Sequence, residues 1–234
     1  LSSYLTGRDA NRGDCAQPCR WKYRLTEEKQ SGETLELTED GGTFLLNSRD
    51  LCMIDHIPEL LDAGVTSLKI EGRTKSAYYA AVTANAYRHA ADAAERGEPL
   101  PAVWREEVFK ISHRPYSTGF YYSGKGPGQF TGTASYFADC DVAAQVERCD
   151  GEGNAVLTQR NKFSVGDELE LLTPDGEPVK FTVVEMRNAD GDMIVSAPSA
   201  VMEVHLRLPG PAPRYSLLRK YRAGYQTPEN REIH

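Results

Sequence analysis

The sequence lacks the features of a membrane or exported protein. None of its segments approaches the roughly 18 uninterrupted apolar residues of a membrane-spanning helix. Its N-terminus has no basic stretch followed by an apolar one, as a secretory signal would. We therefore predict a cytoplasmic protein with no membrane partner. The chain begins with Leu1 rather than Met and within a loop-like segment, which is consistent with a fragment whose beginning is missing.

Two common catalytic signatures are also absent. The 234 residues contain no His-Glu-x-x-His zinc motif and no Gly-x-Ser-x-Gly nucleophile elbow. The only candidate Cys–His pair, Cys52 with His56, rests on proximity in sequence alone. These absences weigh against the familiar zinc and serine hydrolases.

Five cysteines in a chain without an export signal argue against a disulfide framework and predict reduced thiols. Cys15 and Cys19 are separated by three residues, and Cys52 follows an early hairpin predicted from short antiparallel strands over residues 22–25 and 34–37. This spacing is typical of metal ligands. Zinc and iron–sulfur sites both take four ligands, so three thiols leave one position unfilled. The alternative is three buried structural cysteines.

The net charge of −7 excludes a uniformly positive surface, but cations gather at both ends of the chain. One group lies within residues 1–25, and the other lies between His205 and Pro228, where there is no acidic residue. Either group is a candidate for phosphate contacts, and the alternative is solvated surface charge. In the second group the candidates are Arg214, Arg219, Lys220 and Arg222.

The first half of the chain has the pattern of alternating strands and helices. Residues 43–46 and 65–70 are compact apolar runs, and helices are predicted over residues 57–63, closed by Gly64, and from Ser76 as cap to about Glu95. Two strand–loop–helix units indicate a parallel sheet. Two units cannot close a barrel, so further strands are expected upstream.

The second half has short strands separated by turns, which predicts a small antiparallel β-barrel. The predicted strands are residues 143–148, 155–159, 168–172, 179–186, 193–197 and 204–208. The predicted organisation is a barrel-like part with the cysteine loop at 1–98, a connector at 99–127, the small β-barrel at 128–213 and a basic tail at 214–234.

Four segments carry a resemblance to a known family. Residues 8–23, 47–52, 69–75 and 113–120 occur in the order in which similar motifs occur in the collagenase-like U-32 peptidase family, in particular its tRNA-hydroxylating branch. The small terminal barrel also looks like that branch, so the resemblance covers nearly the whole chain.

The resemblance implies the C-terminal part of a TIM-like (β/α) barrel, an α/β fold, followed by a small antiparallel β-barrel. It implies a [4Fe–4S] cluster held by Cys15, Cys19, Cys52 and a fourth cysteine just upstream of Leu1. It also implies hydroxylation of the wobble uridine of tRNA with prephenate as co-substrate. Cys140 and Cys149 match no ligand of the family, and we interpret them as core residues.

Charged residues in two motif loops fit such a reaction. In a parallel barrel the chemistry gathers at the carboxyl ends of the strands. Prephenate is a small dicarboxylate, and arginine forks bind carboxylates at two points. We predict that Arg49, Arg73 and Lys75 bind it, and that Glu71 or Asp50 moves a proton or orients the arginines. The alternative is a salt-bridge network between the loops.

Two further functions stay open at this point. The first is a peptidase, as the family name suggests. The second is a non-enzymatic, cluster-bearing subunit that supports modification by another chain. In the hydroxylase hypothesis the small barrel and the cations of residues 214–222 hold the RNA backbone, which predicts salt-sensitive binding of tRNA.

Overall fold

The computed structural model describes residues 2–23, 25–26, 34–35, 47–122, 128, 130, 136–222 and 233. The chain divides into two compact units. The first consists of Leu1–Met53, His113–Phe137 and Asn230–His234, and the second of Ile54–Ser112 and Ala138–Glu229.

The first unit is built from short elements. Helix α1 spans Ser2–Thr6, and two 3₁₀ turns follow at Ala10–Arg12 and Pro18–Arg20. Strands β1 (Leu25–Thr26) and β2 (Thr34–Leu35) pair antiparallel, which confirms the predicted early hairpin. Strands β3 (Asp50–Leu51) and β4 (Tyr116–Ser117) pair in parallel.

The second unit begins with helices. A 3₁₀ turn at Ile54–His56 leads into α2 (Ile57–Asp62), which is followed by Gly64 at φ +86°. Helix α3 (Ala77–Glu95) begins as predicted, because the Ser76 hydroxyl accepts a hydrogen bond from the Tyr79 amide at 3.2 Å. Helix α4 spans Ala102–Glu107. Across the parts of the chain that are described, no helix has both the length and the apolarity needed to cross a membrane.

The predicted strand over residues 65–70 is wrong. These residues form no strand, and their side chains are exposed or half-buried. A β-branched run becomes a strand only where a neighbour completes its hydrogen bonds, and no described residue pairs with this one. The predicted strand over 43–46 lies outside the described residues. A TIM-like barrel is therefore not confirmed, and among described residues β3–β4 is the only parallel pair.

The second unit continues as a curled antiparallel sheet of eight strands in the order β11-β10-β13-β6-β5-β14-β8-β9. A separate two-stranded pair joins β7 to β12. The strands are β5 (Cys140–Cys149), β6 (Asn154–Gln159), β7 (Phe163–Ser164), β8 (Glu168–Leu172), β9 (Val179–Thr182), β10 (Met186–Arg187), β11 (Met193–Ile194), β12 (Ser196–Ala197), β13 (Glu203–Arg207) and β14 (Leu217–Tyr221).

The core of this sheet is apolar and buried from solvent. Val146, Leu157, Phe163, Leu169 and Leu218 are all fully buried. Around Val146 and Leu157, buried residues alternate with more exposed ones, which follows the two-residue period of a strand. The antiparallel organisation predicted for this half of the chain is therefore confirmed.

Strand β14 was not predicted. It lies between β5 and β8 in the sheet, whereas the sequence assigned its residues to a basic tail. Arg219 and Lys220 interrupt the apolar alternation that would mark a strand. The basic tail at 214–234 is thus wrong for residues 217–221.

Candidate functional site

The parallel pair β3–β4 aligns the ends of two predicted motif loops. Asp50 is opposite Tyr116, and Leu51 is opposite Ser117. Just past β3, the Cys52 amide donates a hydrogen bond to the Ser117 carbonyl oxygen at 2.9 Å. Because parallel strands end at the same edge, Cys52 and the residues that follow Ser117 lie at one carboxyl edge. We call this the β3–β4 edge.

An ion pair joins the amino-terminal ends of β3 and β4. The Asp50 carboxylate accepts hydrogen bonds from the Arg114 amide at 2.9 Å and from Arg114 Nε at 2.8 Å. The two side chains are only 22% and 17% exposed, so water screens the pair weakly. Asp50 therefore orients an arginine, one of its two predicted roles, but the arginine is Arg114 and not Arg49. Sequence reasoning missed Arg114, which lies 64 residues away.

The Arg49 guanidinium is not neutralised by an ion pair with any described carboxylate. Its side chain is half-buried. The loop before it is anchored by Asn47, which is fully buried. The Asn47 carbonyl oxygen accepts from the Phe130 amide at 2.9 Å, and its side-chain amide donates to the Phe130 carbonyl oxygen at 3.0 Å. This anchor fixes the backbone of the loop that leads to Arg49.

The three motif cysteines are all reduced but differ in environment. Cys15 is exposed, Cys19 is half-buried and Cys52 is buried. The Gln17 amide, which donates to Cys15 Sγ at 3.4 Å, lowers the pKa of the Cys15 thiol, and Ser2 and Arg8 act in the same direction. A lowered pKa favours the thiolate that binds metals.

The thiol chemistry suits a metal site, but the arrangement does not assemble one. Within the described ranges, no three His, Cys, Asp or Glu side chains are grouped so that they could hold a metal ion. Cys15, Cys19 and Cys52 therefore remain predicted ligands.

The other predicted site residues lie in the second unit. The Glu71 carboxylate accepts from the Arg73 amide at 2.9 Å, and both side chains are exposed. Lys75 Nζ donates to the Ser112 carbonyl oxygen at 3.0 Å and lies 5.3 Å from the centre of the Tyr79 ring. Lys75 is thus engaged locally, whereas the Arg73 side chain projects into solvent.

The predicted phosphate contacts divide into two groups. Arg219 is fully buried, and its guanidinium is ion-paired with Glu107 and Glu170. Its prediction as a nucleic-acid contact is therefore wrong, because a buried guanidinium cannot reach a phosphate. Arg214, Lys220 and Arg222 stay predictions. Each has a carboxylate close by, namely Glu147 at 3.4 Å, Asp167 at 3.4 Å and Asp141 at 2.8 Å.

Two remaining cysteines belong to β5, at its two ends. Cys140 is 3% exposed, and burial raises the pKa of its thiol to about 12. Cys149 is half-buried and packs against the core of the sheet. Their interpretation as core residues is confirmed.

Comparison with known proteins gives matches along both units. Residues 1–130 match peptidase family U32, and residues 138–219 match the C-terminal domain of that family. The chain is 34% identical to tRNA hydroxylation protein P of Escherichia coli, over 89% of this chain and 55% of that protein. It is 47% identical to an uncharacterized protease of Methanocaldococcus jannaschii, over 74% of this chain and 43% of that one.

A solved structure is also similar, the C-terminal domain of a U32 peptidase from Geobacillus thermoleovorans. The identity is 28%, the TM-score is 0.33, and the match covers 34% of this chain and 99% of that one. The chain spans about half the length of the relatives it matches.

Proposed function

The chain belongs to peptidase family U32, and from this premise we propose that it acts in tRNA modification, as part of an iron–sulfur enzyme that hydroxylates the wobble uridine with prephenate. The observation that carries the proposal is the 34% identity to tRNA hydroxylation protein P over 89% of the chain. That range takes in most of both units, so the similarity is not limited to one shared module.

The anion-binding part of the proposal rests on Arg49 and Arg73. Arg49 has no described carboxylate as an ion-pair partner, and the Arg73 side chain is exposed. A guanidinium binds a carboxylate through two parallel hydrogen bonds, which gives orientation as well as affinity. We propose each arginine as a carboxylate contact within its own unit, Arg49 in the first and Arg73 in the second. Lys75 is a weaker candidate for binding a carboxylate, because its ammonium already donates a hydrogen bond to the Ser112 carbonyl oxygen.

Two carboxylates have separate roles in this scheme. The Asp50 side chain is committed to Arg114 by two hydrogen bonds, so it is a positioning residue that ties the amino-terminal ends of β3 and β4. Glu71 is exposed, and within the described part of the chain its carboxylate accepts a hydrogen bond only from the Arg73 amide. It is the better candidate for moving a proton.

The cofactor part of the proposal concerns Cys15, Cys19 and Cys52. A [4Fe–4S] cluster takes four thiolates and, when bound, supplies a one-electron redox couple. The three reduced thiols and the lowered pKa of Cys15 support ligation. Anaerobic purification followed by iron and sulfide analysis tests it. Cluster content that is unchanged in Cys15→Ala, Cys19→Ala and Cys52→Ala variants would remove these residues as ligands.

The RNA-binding part concerns Arg214, Lys220 and Arg222 on the second unit. Phosphate contacts release counterions, so affinity for tRNA should fall steeply with salt. Each of these cations faces a carboxylate, and this competition predicts a modest contribution from each one.

A peptidase is the second candidate, because one relative at 47% identity is named a protease. The sequence contains neither a His-Glu-x-x-His zinc motif nor a Gly-x-Ser-x-Gly nucleophile elbow. The experiment that separates the candidates compares tRNA nucleosides from wild-type and deletion strains by mass spectrometry, alongside cleavage of a collagen-like peptide by purified protein. Loss of hydroxylated wobble uridine without cleavage supports the hydroxylase. Unchanged nucleosides with cleavage support the peptidase.

A further inference from the structure

Three consecutive aromatic residues stand exposed in the first unit. Phe120 is 76% exposed, Tyr121 61% and Tyr122 58%. Single exposed apolar side chains are ordinary, but adjacent ones form a patch, and exposed patches mark surfaces that bind partners. We call these three residues the aromatic triplet.

The exposed aromatic residues are distributed unevenly between the units. Of the eight exposed aromatic residues within the described ranges, only Tyr215 belongs to the second unit. The large exposed apolar residues of the second unit are otherwise aliphatic, among them Val184, Val195 and Val201. Aliphatic side chains offer apolar area, whereas aromatic rings also offer a flat π face. The first unit is therefore the one suited to bind planar groups.

The triplet lies just past the β3–β4 edge. Strand β4 ends at Ser117, and Gly119 then turns the chain at φ +64°. The Tyr121 amide closes this turn by donating to the Thr118 carbonyl oxygen at 3.2 Å. A Cβ placed on Gly119 would be 3.1 Å from Leu51 Cδ1, so the turn packs against β3. This packing keeps the triplet close to the edge that carries Cys52.

Positive charge in the same unit indicates the partner's chemistry. Arg20 and Arg49 have no ion pair with a described carboxylate, and the Arg20 guanidinium lies 4.2 Å from the centre of the Tyr136 ring. Aromatic rings for bases together with arginines for phosphates are the combination by which proteins hold single-stranded nucleic acid. A paired stem hides its base faces, so the complementary partner is an RNA loop with unpaired bases.

We propose that Phe120, Tyr121 and Tyr122 form a stacking platform for unpaired bases of an RNA loop and hold that loop beside the β3–β4 edge. The proposal rests on the proposed function in tRNA modification and deepens it, since it names the part of the RNA that is bound and the surface that binds it. A base held on the triplet leaves a neighbouring nucleotide at the edge where Cys52 lies.

Binding of two RNA probes to the full chain tests the platform. The probes are a hairpin with an open loop containing uridine and a fully paired duplex of the same stem, each followed by fluorescence anisotropy. The wild-type protein should bind the hairpin more tightly than the duplex. Each of Phe120→Ala, Tyr121→Ala and Tyr122→Ala should weaken hairpin binding by roughly 5- to 100-fold and leave duplex binding unchanged.

The matched control is Tyr4→Ala, in the same unit and 89% exposed, which should bind like the wild type. Tyr121→Phe keeps the ring and should retain affinity, whereas Tyr121→Leu keeps apolar area without a ring and should lose it. Full affinity in Tyr121→Leu would overturn base stacking and favour an aliphatic contact to a protein. Thermal melting of each variant reports its folding, and the Phe–Leu comparison decides the case if an alanine variant melts early.

Two results separate this inference from the function it rests on. Alanine variants that bind the hairpin like the wild type would overturn the platform, while wobble hydroxylation in cells would still support the proposed function. Equal affinity of the wild type for hairpin and duplex would also overturn the platform. Unchanged nucleosides in a deletion strain would instead overturn the proposed function.

Discussion

Arg219 and Glu107 form a buried two-point ion pair. Arg219 Nη1 lies 2.6 Å from Glu107 Oε2, and Nη2 lies 2.6 Å from Oε1. The same guanidinium donates through Nε to Glu170 at 2.8 Å and through Nη1 to the Tyr78 hydroxyl at 3.1 Å. Lys110 completes the group, 2.9 Å from Glu107. These five side chains join helices α3 and α4 with strands β8 and β14 in the second unit.

Glu107→Gln should destabilise the second unit strongly. The substitution leaves Arg219 and Lys110 buried with one carboxylate fewer, and breaking a buried ion pair on one side costs about 3–5 kcal/mol. Urea denaturation measures the free energy of unfolding. The control is Glu168→Gln, which removes an exposed pair with Lys180 at 3.7 Å and should cost less than about 1 kcal/mol. Equal costs for the two variants would contradict this account of the buried group.

The same group predicts a loss of stability in acid. Burial opposes ionisation of Glu107, but the hydrogen bonds and charge of Arg219, with Lys110, outweigh it and hold the pKa of Glu107 below its ordinary value of 4.5. A lowered carboxyl pKa stabilises the fold above the unfolded-state value, and this stability is lost as pH falls through the folded-state value. The stability difference between wild type and Glu107→Gln should therefore shrink below pH 4.5. A difference that stays constant into strong acid would be the opposite result.

Gly153→Ala should be costly because of a close approach to backbone. Gly153 has φ +87°, and a Cβ there would lie 2.7 Å from the Leu208 carbonyl oxygen. Gly191 also has φ +87° but has nothing within 4 Å of the corresponding position, so Gly191→Ala reports backbone strain alone, about 1–2 kcal/mol. Gly153→Ala should cost about 1–3 kcal/mol more in urea denaturation. Equal losses would mean that the contact relaxes freely.

Alkylation should distinguish the cysteines in reduced, metal-free protein. Cys15 is exposed and its pKa is lowered by the Gln17 amide, so more of it is thiolate at neutral pH. Cys140 is buried with a pKa of about 12 and should react only after unfolding. Mass spectrometry after brief iodoacetamide treatment gives the order. Early modification of Cys140 would show that β5 opens readily.

Sequence patterns predicted the parts of the fold whose signals are local. The α3 helix follows from the Ser76 cap and a long run of helix-forming residues, and most strands of the curled sheet follow from their flanking turns. Strand β14 was missed because its charges look like a solvated segment. The partners of Arg219, Glu107 and Glu170, lie 112 and 49 residues away in sequence, and no local pattern reports such a distance.

The candidate site was also predicted only in part. The motif loops identified Asp50 and Arg49, but the role of Asp50 depends on Arg114, which is brought close only by the β3–β4 pairing. Residues 65–70 have the composition of a strand and form none, since composition does not supply the neighbour that a strand needs.

The most direct measurement is the amount of hydroxylated wobble uridine in tRNA from a deletion strain that carries either the wild-type gene or a Cys52→Ser gene. The account predicts that deletion abolishes the modification, that the wild-type gene restores it, and that Cys52→Ser does not, although the variant protein accumulates normally. Undiminished wobble hydroxylation in the deletion strain would contradict the central claim.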